Sequence, residues 1–264
     1  RKKIAQLGLA PISSMFFFGE NQHAVGDDYR PEVHDSDGLS IASRDGEWLW
    51  RPLVNPKRLL ATSFAQVDPV GFGLMQRDRH FSNYEDLGAR FDLRPSVWIE
   101  PVGNWGAGRV ELVELPDPDE TNHNITAFWV PDVVPVPGKG YPFAYRIWWQ
   151  KDSSHHPPLA WVTQSRSGNG YMPNPDHSQA WVVDFDGPVL QELTADSAIT
   201  GAVSTGGNAK LLATWVQHND VTGGWRLTVR LKRVDDSKPV ELRAFLRLGK
   251  QQVTETWSYI IPPK

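Results

Sequence analysis

Short stretches of alternating apolar and polar residues, each stopped by proline or glycine, dominate this 264-residue chain and leave little room for long helices. A period of two places successive side chains on opposite faces of an extended strand, so each run can bury one face and wet the other. Glu47-Trp48-Leu49-Trp50-Arg51, Arg109 to Leu115, Thr126 to Val130 and Phe143 to Trp149 read this way in the first part. Ala180 to Phe185, Lys210 to Gln217, Gly224 to Lys232, Val240 to Leu248 and Thr254 to Ile260 follow in the second. Turn residues separate them at Gly38, Gly46, Asn55-Pro56, Pro69 with Gly71, Gly103 to Gly108, Pro116 to Pro118 and Pro135 to Gly140. With 21 prolines and 22 glycines so distributed, the expected fold class is all-β. One short helix is expected over Lys2 to Leu9, and a turn near Tyr84-Glu85-Asp86-Leu87.

Composition shifts at Lys151 to Pro158 and Ser165 to Ser178, which are polar and rich in His, Pro, Gly and Asn, as an exposed linker would be. After them come about seven short runs at the spacing of an immunoglobulin-like sandwich. Their turns fall at Thr205-Gly206-Gly207-Asn208 and Asn219 to Gly224. A boundary is therefore expected near residue 160, with an immunoglobulin-like domain over 159–264. The part before it, 1–158, opens at Arg1 straight into the hydrophobic stretch Ile4 to Phe18, which needs something to pack on. The chain reads as a mature product or a fragment of a longer one.

Composition narrows the function. Net charge is −4, with 27 basic residues scattered among 31 acidic ones, so no basic stripe invites nucleic acid. Cysteine is absent, which removes disulfides and thiolate metal sites. Met15-Phe16-Phe17-Phe18 is the longest apolar candidate and is far too short to span a bilayer, so membrane insertion is not expected. Tryptophan is abundant, at 12 residues. Its flat apolar face and indole donor suit both a sandwich core and the stacking of pyranose rings. Trp48 lies close to Trp50, and Trp148 and Trp149 must point to opposite faces of a strand.

The densest polar cluster runs from Asp27 to Asp37 and holds five carboxylates, Arg30 and His34. Its spacing does not match an EF-hand loop, and a single nearby histidine does not make a zinc site. A solvated loop of mutually paired charges and a functional centre both remain open readings of this stretch. Gln76 to Asp86 interleaves Arg77 and Arg79 with Phe81 and Tyr84, a composition suited to hydroxyl-rich ligands or to a surface ion-pair network. Glu114 to Asn124 follows a strand and carries Glu120, Thr121, Asn122 and His123, in a place where catalytic groups are often found. No Gly-x-Ser-x-Gly elbow, phosphate loop or dinucleotide fingerprint is present. The pair His155-His156 reads as solvated, and neither metal nor cofactor is expected.

The same clusters carry a resemblance. Asp28-Tyr29-Arg30-Pro31-Glu32-Val33-His34-Asp35-Ser36-Asp37, Gly46-Glu47-Trp48, Arg51-Pro52-Leu53 and Asn55-Pro56 closely resemble the OpgG/OpgD (MdoG) family of periplasmic glucan biosynthesis proteins. Gly71-Phe72-Gly73-Leu74, Gln76-Arg77, Phe81-Ser82, Arg94-Pro95-Ser96 and Asn104-Trp105-Gly106 continue the match. So do Val113-Glu114-Leu115-Pro116, Glu120-Thr121-Asn122 and Glu255-Thr256-Trp257-Ser258-Tyr259, so that the resemblance covers essentially the whole chain.

The resemblance implies an exported protein of roughly twice this length, with a large carbohydrate-processing β-sandwich followed by an immunoglobulin-like domain. Residues 1–158 would be the C-terminal part of the large sandwich, with its glucan cleft. It also implies a β-1,2-linked glucan as ligand, a periplasmic location, and either endo-β-1,2-glucanase activity with inversion or transglycosylation. An inverting glycosidase pairs an acid with a base across the scissile bond. By resemblance the base falls on Asp35, acting through a relay of water and a substrate hydroxyl. The family's acid is the Asp of a Glu-Thr-x-Asp-Asn pattern, which here reads Glu120-Thr121-Asn122-His123-Asn124, so a histidine holds that position. Phe91 stands where relatives carry Tyr, and Glu120 is an alternative acid. Trp48, Trp50, Arg79, Tyr84, Phe91, Trp105 and Thr121 are the candidate sugar contacts. The rival reading is a glucan-binding scaffold that has lost the acid and works with a protein partner docked on the second domain.

Overall fold

The computed structural model describes residues 6–24, 26–151, 155–170 and 176–263. Its strands, in chain order, begin with β1 (Leu9–Ser14), β2 (Phe16–Phe18), β3 (Val33–His34), β4 (Gly38–Ala42), β5 (Trp48–Pro52), β6 (Leu60–Val67), β7 (Gly71–Met75), β8 (Ser96–Val102), β9 (Ala107–Glu114), β10 (Ile125–Pro131) and β11 (Ala144–Gln150). They continue with β12 (Trp161–Gly168), β13 (Gln179–Asp186), β14 (Ile199–Thr205), β15 (Ala209–His218), β16 (Trp225–Arg233), β17 (Val240–Leu248), β18 (Gln251–Gln252) and β19 (Thr256–Ile261). Helical structure among the described residues is confined to single turns at Phe81–Asn83, Phe91–Leu93 and Pro188–Gln191. The all-β class read from the sequence is the class observed.

The chain divides into two compact units. The first takes residues up to Gly19, His23–Trp48 and Leu53–His155; the second takes Glu20–Gln22, Leu49–Pro52 and everything from His156 onward. In the first unit one antiparallel sheet has the order β1-β10-β9-β6. Another antiparallel run has the order β11-β8-β7-β4, and β2 and β3 form a two-stranded ribbon. Alternation explains β9: Val110, Leu112 and Glu114 turn inward and are 0 % exposed. In the second unit β12-β13-β16-β15 is antiparallel throughout, while β5, β19, β17 and β14 are neighbours in that order, with β5 parallel to β19.

Two local expectations are corrected. Of the helix expected over Lys2 to Leu9, residues 2–5 lie outside the described residues, Gln6–Gly8 is irregular, and Leu9 opens β1. Ala10, Ile12 and Ser14 are buried while Pro11 and Ser13 face outward, a period of two that a helix cannot satisfy. The polar stretch after Ser165 is in part strand, because β12 runs to Gly168 and pairs in register with β13. Of the remainder, residues 171–175 lie outside the described residues.

The glycines of Gly71-Phe72-Gly73-Leu74 are explained by packing. A methyl group on Gly71 would collide with the Trp98 indole, and one on Gly73 with the Val97 carbonyl oxygen and the edge of the same indole. Trp98 therefore lies flat across β7, stacked between Trp48 at 5.5 Å and His155 at 5.4 Å.

Candidate functional site

The segment His34-Asp35-Ser36-Asp37 leaves the short ribbon β2–β3 and is fastened on both sides. The Asp35 amide donates to the Met15 carbonyl at 2.9 Å, and the Asp37 amide donates to the Met75 carbonyl at 2.9 Å. The Leu53 amide donates to the Asp37 carbonyl, and the Ser14 and Ser36 hydroxyls meet at 2.8 Å. Asp37 Oδ2 accepts from the Arg77 and Asp78 amides at 2.9 and 2.8 Å. The carboxyl of Asp37 is enclosed although the residue as a whole is only half-buried, and burial pushes it up to about 6. A proton on His34 and the two amides would pull the other way.

Beneath this segment lies a buried polar chain. His34 is 1 % exposed, with Nε2 at 2.8 Å from Glu32 Oε2 and Nδ1 at 3.0 Å from Gln76 Oε1. The Gln76 amide nitrogen faces the His34 carbonyl, the Phe91 carbonyl and the Tyr84 hydroxyl at 3.1, 3.1 and 2.9 Å. Tyr84 passes its own proton to the Asp78 carbonyl. Burial pulls the His34 pKa down, but the hydrogen bond and charge of Glu32, the charge of Asp37 and the Gln76 contact together outweigh it, so the net displacement is upward. Met15, Phe18, Val33, Tyr84 and Phe91 make the apolar cluster around this chain.

Asp35 is partly open to the surface, with 21 % of its side chain exposed. Arg94 Nε lies 3.0 Å from Asp35 Oδ1, close enough to pair charges although not aligned as a hydrogen bond. The Arg94 guanidinium also covers the Phe91 ring, 5.6 Å from its centre.

The loop after β9 is tied to the same region. Asn55 and Asp117 exchange a reciprocal pair of hydrogen bonds, and Asn122 donates to Asp117. Asn124 accepts from the Phe16 amide and donates to the Phe16 and Leu115 carbonyls. Met15 thus holds Asp35 while its neighbour Phe16 holds Asn124, and the His34–Asp37 segment and the loop flank one short stretch of chain. His123 is exposed and sets Nδ1 3.3 Å from the Ser13 hydroxyl. Glu120 pairs with Arg30 at 2.7 Å, and the same guanidinium is held by Asp28 and Asp86. These three carboxylates raise the Arg30 pKa against the opposing effect of its burial, Asp28 most of all.

Over residues 1–261 the chain matches the family described as periplasmic glucan biosynthesis protein, MdoG. The chain belongs to the MdoG family. Relatives named glucans biosynthesis protein G include one from Ralstonia nicotianae, 54 % identical over 269 residues, which covers 100 % of this chain and 53 % of that protein. Another, from Pseudomonas paraeruginosa, is 51 % identical over 271 residues and covers 99 % of this chain and 52 % of its own length. A third, from Pseudomonas aeruginosa, has the same identity and coverage. The chain thus spans about half the length of the relatives it matches.

The structure of this MdoG-family chain gathers some of the candidate residues and disperses others. Asp35, Phe91 and Tyr84 lie in one neighbourhood, with Arg79 close by through its bonds to the Asp92 and Arg94 carbonyls. Tyr84 and Phe91 are 0 % and 3 % exposed, so they brace the site from below and offer no open ring face. Thr121 is exposed and bonds to Asp119 in the loop that carries His123. Trp48 is stacked on Trp98; Trp50 is buried and belongs to the second unit. Trp105 is buried, packs on Trp129, Phe143 and Tyr145, and gives its indole proton to the Ala144 carbonyl. Arg94, Gln76, Glu32 and Asn124 stand in the sequence clusters and motifs without a role assigned to them there, and the structure supplies one. The spacing of Glu32 and His34, two apart in an extended segment, was the available sign that they share a face.

Proposed function

We propose that the whole protein works in periplasmic glucan biosynthesis and acts on a β-1,2-linked glucan as an inverting endo-β-1,2-glucanase or transglycosylase, with Asp35 as base. The observation that supports it is the state of Asp35: its backbone is pinned, its side chain is partly open to solvent, and Arg94 pairs with the buried oxygen Oδ1. In hydrolysis the carboxylate draws a proton from the attacking water through a relay, and the water oxygen bonds to the anomeric carbon from the opposite face. The glycosidic C–O bond breaks, and the departing oxygen takes a proton from the acid. His123 occupies that acid position, and an imidazolium has a proton to give. In transglycosylation a sugar hydroxyl takes the place of water. Arg79, Thr121 and Trp48, all retaining some exposure, are the candidate sugar contacts.

A second reading is a glucan-binding scaffold in the same pathway, helped by a protein partner on the second unit. Two observations favour it: Glu120 is committed to Arg30, so it is not free to replace the acid, and His123 rests on Ser13. The test uses the whole protein with linear β-1,2-glucan, by calorimetry and by product analysis on the same sample. The first reading expects binding and products, both hydrolytic and transfer products being counted, and loss of products in Asp35→Asn with binding kept. Binding without products supports the scaffold. Products undiminished in Asp35→Asn reject Asp35 as base, and no binding rejects both readings.

A further inference from the structure

The proton positions on His34 follow from its neighbours. The Gln76 amide is oriented by two backbone carbonyls, those of His34 and Phe91, which can only accept, so its nitrogen must face them. Its oxygen is thereby turned to His34 Nδ1 at 3.0 Å, and that oxygen can only accept, so Nδ1 carries a proton. On the other side of the ring Nε2 meets a Glu32 oxygen at 2.8 Å, in a place where Glu32 is only 8 % exposed.

We propose that His34 is a buried imidazolium, donating from Nδ1 to Gln76 and from Nε2 to Glu32, and that it is the positioning residue for Asp35. The role in positioning rests on the reading of Asp35 as base. The charge state does not. His34 is held by its ring and by its backbone together: Gln76 accepts from Nδ1 and donates to the His34 carbonyl. Phe16 stacks on the ring at 5.3 Å, and Tyr84 meets it edge-on at 5.2 Å. The next backbone donor is the Asp35 amide, bonded to Met15. Glu32, Asp37 and Tyr84 face the ring, a carboxylate oxygen of Asp78 lies within 4.8 Å of one of Glu32, and the net effect of Glu32 and Asp37 favours the charged ring. A neutral ring facing a protonated Glu32 would keep the same heavy-atom distances but would leave no ionic anchor under Asp35.

Nitrogen-15 NMR on the whole protein labelled at histidine decides the charge state. Both His34 ring nitrogens are expected to show attached protons from pH 6 to 8, and one unprotonated nitrogen at pH 7 overturns the proposal. Glu32→Gln keeps the shape and removes the charge. In that variant the ring should titrate within the same range, and amide exchange at Asp35 should quicken at least about tenfold with global stability matched. Rapid exchange at Asp35 with no change in ring charge, or a neutral ring with unaltered exchange, overturns the positioning role. Neither readout requires glucan turnover, so it stands apart from the Asp35→Asn test: activity retained there would reject the base while leaving the imidazolium intact.

Discussion

Arg94 joins Asp35 to Phe91: its Nε lies 3.0 Å from the carboxylate, and its guanidinium covers the ring. An apolar ring beneath a guanidinium leaves the cation free to pair outward, and cation and ring attract each other modestly. On the reading of Asp35 as base, removing Arg94 frees its carboxylate to rotate away from the direction that role requires. Arg94→Ala in the whole protein should lower glucan turnover by roughly tenfold to a hundredfold, a loss of about 1.4–2.7 kcal/mol of transition-state stabilisation. Steady-state kinetics on linear β-1,2-glucan checks it, and an unchanged kcat would show that Arg94 does not orient the base.

Asn124 is 3 % exposed and satisfies three backbone groups at once, on Phe16 and Leu115. Asn124→Ala would strand those groups in a buried place. The expected loss is about 2–3 kcal/mol in unfolding free energy. Urea unfolding of the whole protein measures it, and a loss below about 0.5 kcal/mol would mean that water replaces the amide at little cost.

How much of this could be read from the residues differs by scale. Strands such as Val240–Leu248 match the alternating run residue for residue, because apolar and polar positions there contrast strongly. Leu60–Val67 escaped notice because small and weakly polar residues, Ala61, Thr62, Ser63 and Ala65, blur the alternation that its burial still follows. At the site, Asp35, His34 and Glu32 stood out within one polar cluster, but the partners supplied from elsewhere in the chain did not. Gln76 and Arg94 lie about forty and sixty residues further along the chain, and only the pairing of β4 with β7 and of β7 with β8 brings them back. Tryptophan was the least legible. Trp50, Trp98, Trp105 and Trp129 are all buried, and composition alone does not separate a core indole from a sugar platform.

Gly73 illustrates a motif residue whose reason is space. Its backbone runs so close to the Val97 carbonyl that even a methyl group must displace β8. Gly73→Ala should therefore destabilise the whole protein by about 2–3 kcal/mol, as overpacking does. Gly46, where an added methyl meets nothing, has a positive φ of 94° and serves as the control: Gly46→Ala should cost only its backbone strain, about 1–2 kcal/mol. Equal losses at the two sites in thermal or urea unfolding would contradict the packing account.

Asp37 ties stability to pH. Its carboxyl titrates near 6 in the folded protein, above the ordinary value of 3.8, so the folded state binds that proton more tightly than the unfolded state does. Its contribution therefore becomes less favourable as pH rises from about 4 to 6 and is steady above that, amounting to about 3 kcal/mol at most. Asp37→Asn removes the charge and keeps an oxygen for the Arg77 and Asp78 amides. Relative to the parent, the variant should gain stability between pH 4.5 and 7.5. The same difference at both pH values, measured by urea unfolding, would rule out the buried charge as the cause.

His123 is where the choice between enzyme and scaffold concentrates. It is exposed, and its polar contact among the described residues is the Ser13 hydroxyl at the surface, so substitution there should leave the fold intact. Its neighbour Asn124 fixes the loop backbone regardless of what stands at 123. A carboxylic acid at that place supplies the donor that the family pattern carries, and general acid catalysis typically contributes about 10²–10⁴-fold. His123→Asp in the whole protein should therefore raise product formation from β-1,2-glucan by at least about tenfold, a fraction of that range. The gain should vanish when Asp35→Asn is added. A gain that survives the second substitution would place the base elsewhere. Binding unchanged and products absent in His123→Asp would leave the scaffold as the reading that fits, since a cleft that still holds glucan with acid and base positions filled would lack some other element of the reaction.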